Sequence, residues 1–129
     1  MLNDIIQRLA SFGYEVTETD EFALNFIIGK VENHIKHSCN ILSIPEGLHN
    51  IAVDMVCGEF LCEKKATKPN DLKGFNLETA IKSIQEGDTN ITFAIGEGSK
   101  TDEQKLDALI SHLMTYGERE FVHYRCLSW

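Results

Sequence analysis

Between residues 45 and 65 the chain reads PEGLHNIAVDMVCGEFLCEKK, and no single helix face can hold its apolar side chains. At about 100° per residue, Leu48, Ala52, Met55 and Cys62 project one way, while Val53, Val56, Cys57, Phe60 and Leu61 cover most of the other directions. A helix that is apolar nearly all round has to be covered on several sides, so this stretch belongs at the centre of whatever the chain builds. Pro45 suits a first-turn position, Glu46 suits the positive end of a helix, and Lys64 and Lys65 suit the negative end. The pattern predicts a central helix over 46–65 in a small bundle.

The flanking segments supply its covers. Leu2, Ile5, Ile6, Leu9 and Phe12 share one face of a short helix over 2–12, which Gly13 is placed to end. Thr19 and Asp20 are candidate caps for a second helix over 21–38, whose apolar positions, Phe22, Leu24, Phe26, Ile27, Ile28, Val31 and Ile35, cover more than one face. A short link at 40–43 makes this helix and the central one a helical hairpin. Residues 66–74 read as a polar surface loop, and 77–80 leave room for one helical turn. The pattern then changes to alternation, cleanest in Ile91, Phe93 and Ile95 against Asn90, Thr92 and Ala94, which predicts a β-hairpin over 81–95 with its turn near 86–89. After a glycine-rich loop at 96–100, Thr101 or Asp102 caps a last helix over 102–117, with Leu106, Leu109, Ile110, Leu113 and Met114 as its stripe. The tail, 119–129, alternates Phe121, His123 and Arg125 against Val122, Tyr124 and Cys126 and closes on Trp129, so it is expected to be extended and to dock on the bundle or on a partner. The expected fold is mainly α: one domain, 1–129, a small bundle of about four helices with a β-hairpin or extended insertion before the last.

Composition narrows the function. With 129 residues, 43% hydrophobic and 25% charged, the chain has the size and make-up of a single globular core. No apolar run approaches the roughly 20 residues that cross a bilayer, and the amphipathic N-terminus is unlike a signal peptide, so a cytoplasmic setting, or something assembled there, is expected. The four cysteines, Cys39, Cys57, Cys62 and Cys126, are scattered and read as reduced, mostly buried thiols. Cys57 and Cys62 stand about 140° apart around their helix, a poor geometry for a bridge or a shared metal. A net charge of -8, with twelve dispersed basic residues, argues against a sequence-independent grip on nucleic acid. An acidic surface would let DNA pass without sticking, although solubility alone accounts for the same charge.

No motif makes a convincing chemical centre. His34 and His37 share a helix face with Cys39 close behind, but no fourth ligand completes a metal site, and histidines near a helix C-terminus are favoured there anyway. Gly96 to Lys100 lacks the spacing of a phosphate loop and carries Glu97 where phosphates would sit. Ser43 and Ser99 have no nucleophile-elbow context, Cys126 has no clear base besides His123, and Glu18, Asp20 and Glu21 are explained by a helix start. No catalytic residue, cofactor or metal is assigned, and the balance favours a protein whose work is contact.

The order of the parts carries a resemblance. Short N-terminal helices, a long central helix, the segment Ser83-Ile84-Gln85-Glu86-Gly87-Asp88 with the following Ile91-Thr92-Phe93, a last amphipathic helix and the ending Tyr124-Arg125-Cys126-Leu127-Ser128-Trp129 together resemble the small head-tail connector proteins of tailed phages and prophages, of the YqbG-like kind. That resemblance spans essentially the whole chain. It implies a non-enzymatic structural protein of the virion, assembled in the host cytoplasm as a homo-oligomeric ring beneath the portal protein. Such a ring extends the DNA channel, lets DNA pass without specific binding, and meets downstream connector or tail proteins. The contact residues expected on this basis are Ile84, Phe93, Ile95, Tyr124, Arg125 and Trp129, with packing inside the subunit as the competing assignment for Ile84, Phe93 and Ile95. The alternatives from other classes are a cytoplasmic helical adaptor or regulatory module, and a small enzyme using His34, His37, Cys39 or Cys126.

Overall fold

The first helix, α1 (Leu2–Ser11), buries Ile5 and Leu9, as its stripe predicts. The computed structural model describes residues 1–67, 80 and 102–124. Phe12 follows α1 into the core, and Gly13 then takes a left-handed φ of 88°. There the Gly13 amide donates to Ala10 O at 2.9 Å and the Tyr14 amide to Leu9 O at 2.9 Å, closing the helix with a Schellman pair.

The second helix, α2 (Glu18–Cys39), begins earlier than expected. Its cap is Thr17, whose hydroxyl accepts from the Asp20 amide at 3.3 Å while the Asp20 carboxylate accepts from the Thr17 amide at 3.1 Å. Asp20 is therefore the return half of a capping box, not the cap itself. The helix ends at Asn40, left-handed with φ 56°, where the Ile41 amide donates to Lys36 O at 3.0 Å. Leu24, Ile27, Val31, Ile35 and Cys39 form one buried stripe. Phe22 and Phe26 lie on the opposite face and are exposed.

A single 3-10 turn, Glu46–Leu48, leads directly into α3 (His49–Thr67). Pro45 keeps an extended ψ of 152° and precedes that turn, one place outside the expected first-turn position. The all-round apolar pattern is fulfilled: Ile51, Ala52, Val53, Met55, Val56, Cys57, Phe60 and Leu61 are all buried. α3 packs against α1, α2 and α4 (Asp102–Thr115). Its hairpin with α2 is antiparallel, with Lys64 on Asp20 near one end and Lys30 Nζ on Glu59 Oε1 at 2.6 Å farther along. Against α4 the approach is close at Gly58, where an added Cβ would lie 2.8 Å from Met114 Cγ, 2.9 Å from Leu113 Cβ and 3.2 Å from Ile110 O.

The stripe of α4 is borne out, with Leu109, Ile110 and Leu113 buried and Leu106 and Met114 packed at its edge. The expected extended course of 119–129 is corrected over its first part. The chain runs on from α4 as an eight-residue 3-10 segment, Tyr116–His123, in which Gly117 and Phe121 are buried. Three residues per turn bring Phe121 and Tyr124 to the same inner side and leave Val122 outside, whereas an extended run would put Phe121 and Tyr124 on opposite sides. The expected hairpin over 81–95, the turn at 77–80, the loop at 96–100, the cap at Thr101 and the tail beyond Tyr124 lie outside the described residues.

The described chain is thus mainly α, a bundle of four helices with no strand among the described residues, around one hydrophobic core. Among those residues no helix is long and apolar enough to cross a membrane.

Candidate functional site

Two buried carboxylates organise the polar interior. Asp20, 3% exposed, takes the Lys64 ammonium on Oδ1 at 2.7 Å and the Tyr14 hydroxyl on Oδ2 at 2.7 Å, besides its cap bond to Thr17. Burial alone would raise this carboxyl. The Lys64 ammonium, the Tyr14 hydroxyl and the Thr17 donors outweigh it and hold the group below the usual carboxylate range. The same burial, together with the neighbouring Asp20 charge, pushes the Tyr14 phenol up to about 12. Phe60 closes the group, edge-on to Tyr14 at 5.5 Å and with Lys64 5.7 Å from its centroid.

Asp54 does comparable work between α1, α3 and the 3-10 segment that follows α4. Its Oδ1 accepts from Arg8 Nε at 3.0 Å and its Oδ2 from the Tyr116 hydroxyl at 2.7 Å. Tyr116 in turn stacks on His112 at 4.8 Å and 11°. Burial, and then the Asp54 charge, raise the neighbouring Cys57 thiol, which favours the unreactive protonated form. These groups are joined to one another across helices, and no buried side-chain nitrogen or oxygen among the described residues lacks a partner. Their geometry holds helices in place.

The residues singled out from the sequence as a possible metal site do not converge. His34 Nε2 pairs with Glu118 Oε1 at 3.3 Å, Cys39 is buried with its thiol donating to Phe121 O at 3.8 Å, and His37 is exposed. Among the described residues no three His, Cys, Asp or Glu side chains group to hold an ion. Cys57 is buried as expected, whereas Cys62 is exposed, because the sector of α3 on which it lies is left uncovered at that end.

Of the expected contact residues, Tyr124 is the one the structure describes. It is half-buried against the core, and it faces Gly47, where a Cβ would overlap its hydroxyl. Ile84, Phe93, Ile95, Arg125 and Trp129 lie outside the described residues. The outward apolar surface lies elsewhere: Phe22 is 80% exposed, Phe26 77%, Leu42 97% and Val122 62%. Phe22 and Phe26, four residues apart, form an aromatic pair on one face of α2. The signal is present in the sequence, since both stand about 100–180° from Leu24, Ile27 and Val31 at helical spacing.

What fold and surface define together is a small mainly-α protein with paired polar groups inside and aromatic side chains outside. No family model matches the chain, and no curated protein or solved structure matches it.

Proposed function

We propose that this protein is a structural head-tail connector of a phage or prophage, working by contact and without bond-making chemistry. In this reading it forms a homo-oligomeric ring beneath the portal protein, extends the DNA channel and offers a platform to downstream connector or tail components. The observation that carries it is the outward display of Leu42 and Val122 on a bundle whose buried side-chain polar groups, among the described residues, are all paired inward. Large apolar groups on a subunit that has closed its own core are what lateral and axial neighbours would cover. The net charge of -8 suits a channel through which DNA slides. Ile84, Phe93, Ile95, Tyr124, Arg125 and Trp129 remain the residues proposed for contact, and the virion's head-tail junction the proposed location.

The test is negative-stain microscopy of concentrated protein, alone and mixed with a portal protein, together with co-sedimentation. Annular particles on the portal are the expected result; a protein that neither forms annuli nor co-sediments with any portal is not a connector. A second reading, a cytoplasmic helical adaptor, is favoured by one observation: Phe121 and Tyr124, at the start of the tail, pack on their own subunit. Substituting Val122 and Leu42 by serine separates the two, since loss of portal association with an unchanged fold is expected only of a connector.

A further inference from the structure

The exposed face of α2 has a composition that its own subunit does not explain. Glu18, Phe22, Phe26, Gly29, Asn33 and Lys36 fall within about 80° of one another around the helix, over about 27 Å of its length. All but the half-buried Lys36 are exposed. Gly29 is the informative member. A glycine inside a helix costs about 1 kcal/mol relative to alanine. Here a Cβ would meet nothing within 4 Å, so no close approach inside the subunit calls for its absence.

We infer that this face is the contact between two copies of the chain, packed α2 against α2 in antiparallel, two-fold fashion. In such a pair the residues that meet have numbers adding to about 55. Phe26 of one copy then seats on Gly29 of the other, Phe22 lies against Asn33, and Glu18 lies against Lys36. The glycine supplies the hole for the aromatic knob, and the Phe26–Gly29 contact forms twice by symmetry. Charge follows the same register. The first turn of α2 is acidic, with Glu18 and Glu21, and its last turn is basic, with Lys36 and His37, so antiparallel packing puts opposite charges together at both ends. Parallel packing would set like against like. One helix face is a small interface beside the roughly 1,200–2,000 Å² of stable complexes, so the pair is weak and concentration-dependent. Being a closed contact of two copies, it is distinct from the head-to-tail contacts of a ring and does not depend on the connector reading.

Sedimentation velocity on the full chain, from about 5 to 500 µM and without any portal, tests it. A monomer–dimer equilibrium is expected. Phe22→Ser with Phe26→Ser should weaken it at least about tenfold while far-UV circular dichroism stays unchanged, because both rings are exposed. Gly29→Leu is the sharper variant: it adds apolar surface yet should weaken the pair, because it fills the seat of Phe26. Glu18→Lys and Lys36→Glu should each weaken the pair severalfold, and the double exchange should bring it back. Monomer at the highest concentration, association that Phe22→Ser with Phe26→Ser leaves unchanged, a Gly29→Leu variant that associates more tightly, or a double exchange no better than the single ones would each overturn the inference. The connector reading is judged separately, by annuli on a portal.

Discussion

Asp20 is the residue on which most depends. It completes the cap of α2, neutralises Lys64 at the far end of α3 and accepts the Tyr14 hydroxyl, all from a site 3% exposed. Asp20→Asn would leave the Lys64 ammonium buried beside an amide, and stability should fall by about 3 kcal/mol, measured as a lower urea midpoint at pH 7. The acid response follows from the same group. Its folded pKa is depressed, so its stabilisation is complete above the unfolded carboxylate value near 4 and is lost as pH falls through the folded value. The wild type should therefore lose stability more steeply below about pH 4 than Asp20→Asn does. Tyr14 acts at the opposite limit. With its phenol raised to about 12, stability is intact below the unfolded value of about 10 and drains away as pH climbs from there. Alkaline titration followed at about 295 nm should show a late-ionising tyrosine that Tyr14→Phe removes, and Tyr14→Phe should flatten the alkaline limb of stability.

At the level of elements, two glycines on neighbouring helices make opposite predictions. Gly58 lets α3 lie close on α4, and Ala there must displace Leu113, Met114 or the backbone at Ile110; a loss of about 1–3 kcal/mol is expected despite the gain in helix propensity. Gly29 faces open space within the subunit, so Gly29→Ala should stabilise by about 0.5–1 kcal/mol in dilute solution. Thermal unfolding of the two variants side by side checks both signs. The helices were legible where the pattern was one-sided or all-sided: α4 by its stripe, α3 by having no polar face. The start of α2 was not, because Thr17, Thr19 and Asp20 are all plausible caps and only burial of the Asp20 carboxylate decides among them. The course of 119–123 differs from the expected extended one because Phe121 and His123 alternate with Val122 and Tyr124 just as a strand would, while the chain keeps a 3-10 path. The pairing of Asp20 with Lys64, 44 residues away, left no local trace.

Over the whole molecule, α3 is shared by α1, α2 and α4, so these parts should not melt separately. Far-UV circular dichroism and near-UV tyrosine signals should follow one common urea transition; two separated transitions would mean that α4 or α1 is only loosely attached. The candidate contact surface was harder to find than the core for a physical reason. Apolar residues announce burial without saying by which molecule, and Phe22 and Phe26 share their helix with a core stripe, so their chemistry alone does not separate contact from core. The position of α4 also has a bearing on biosynthesis. The flank of α3 around Gly58 is closed by a helix that begins about 35 residues after α3 stops. On a ribosome adding roughly 5–20 residues per second, the nascent chain carries that flank bare for several seconds, during which a holdase or a neighbouring polysome product is its nearest competitor for capture.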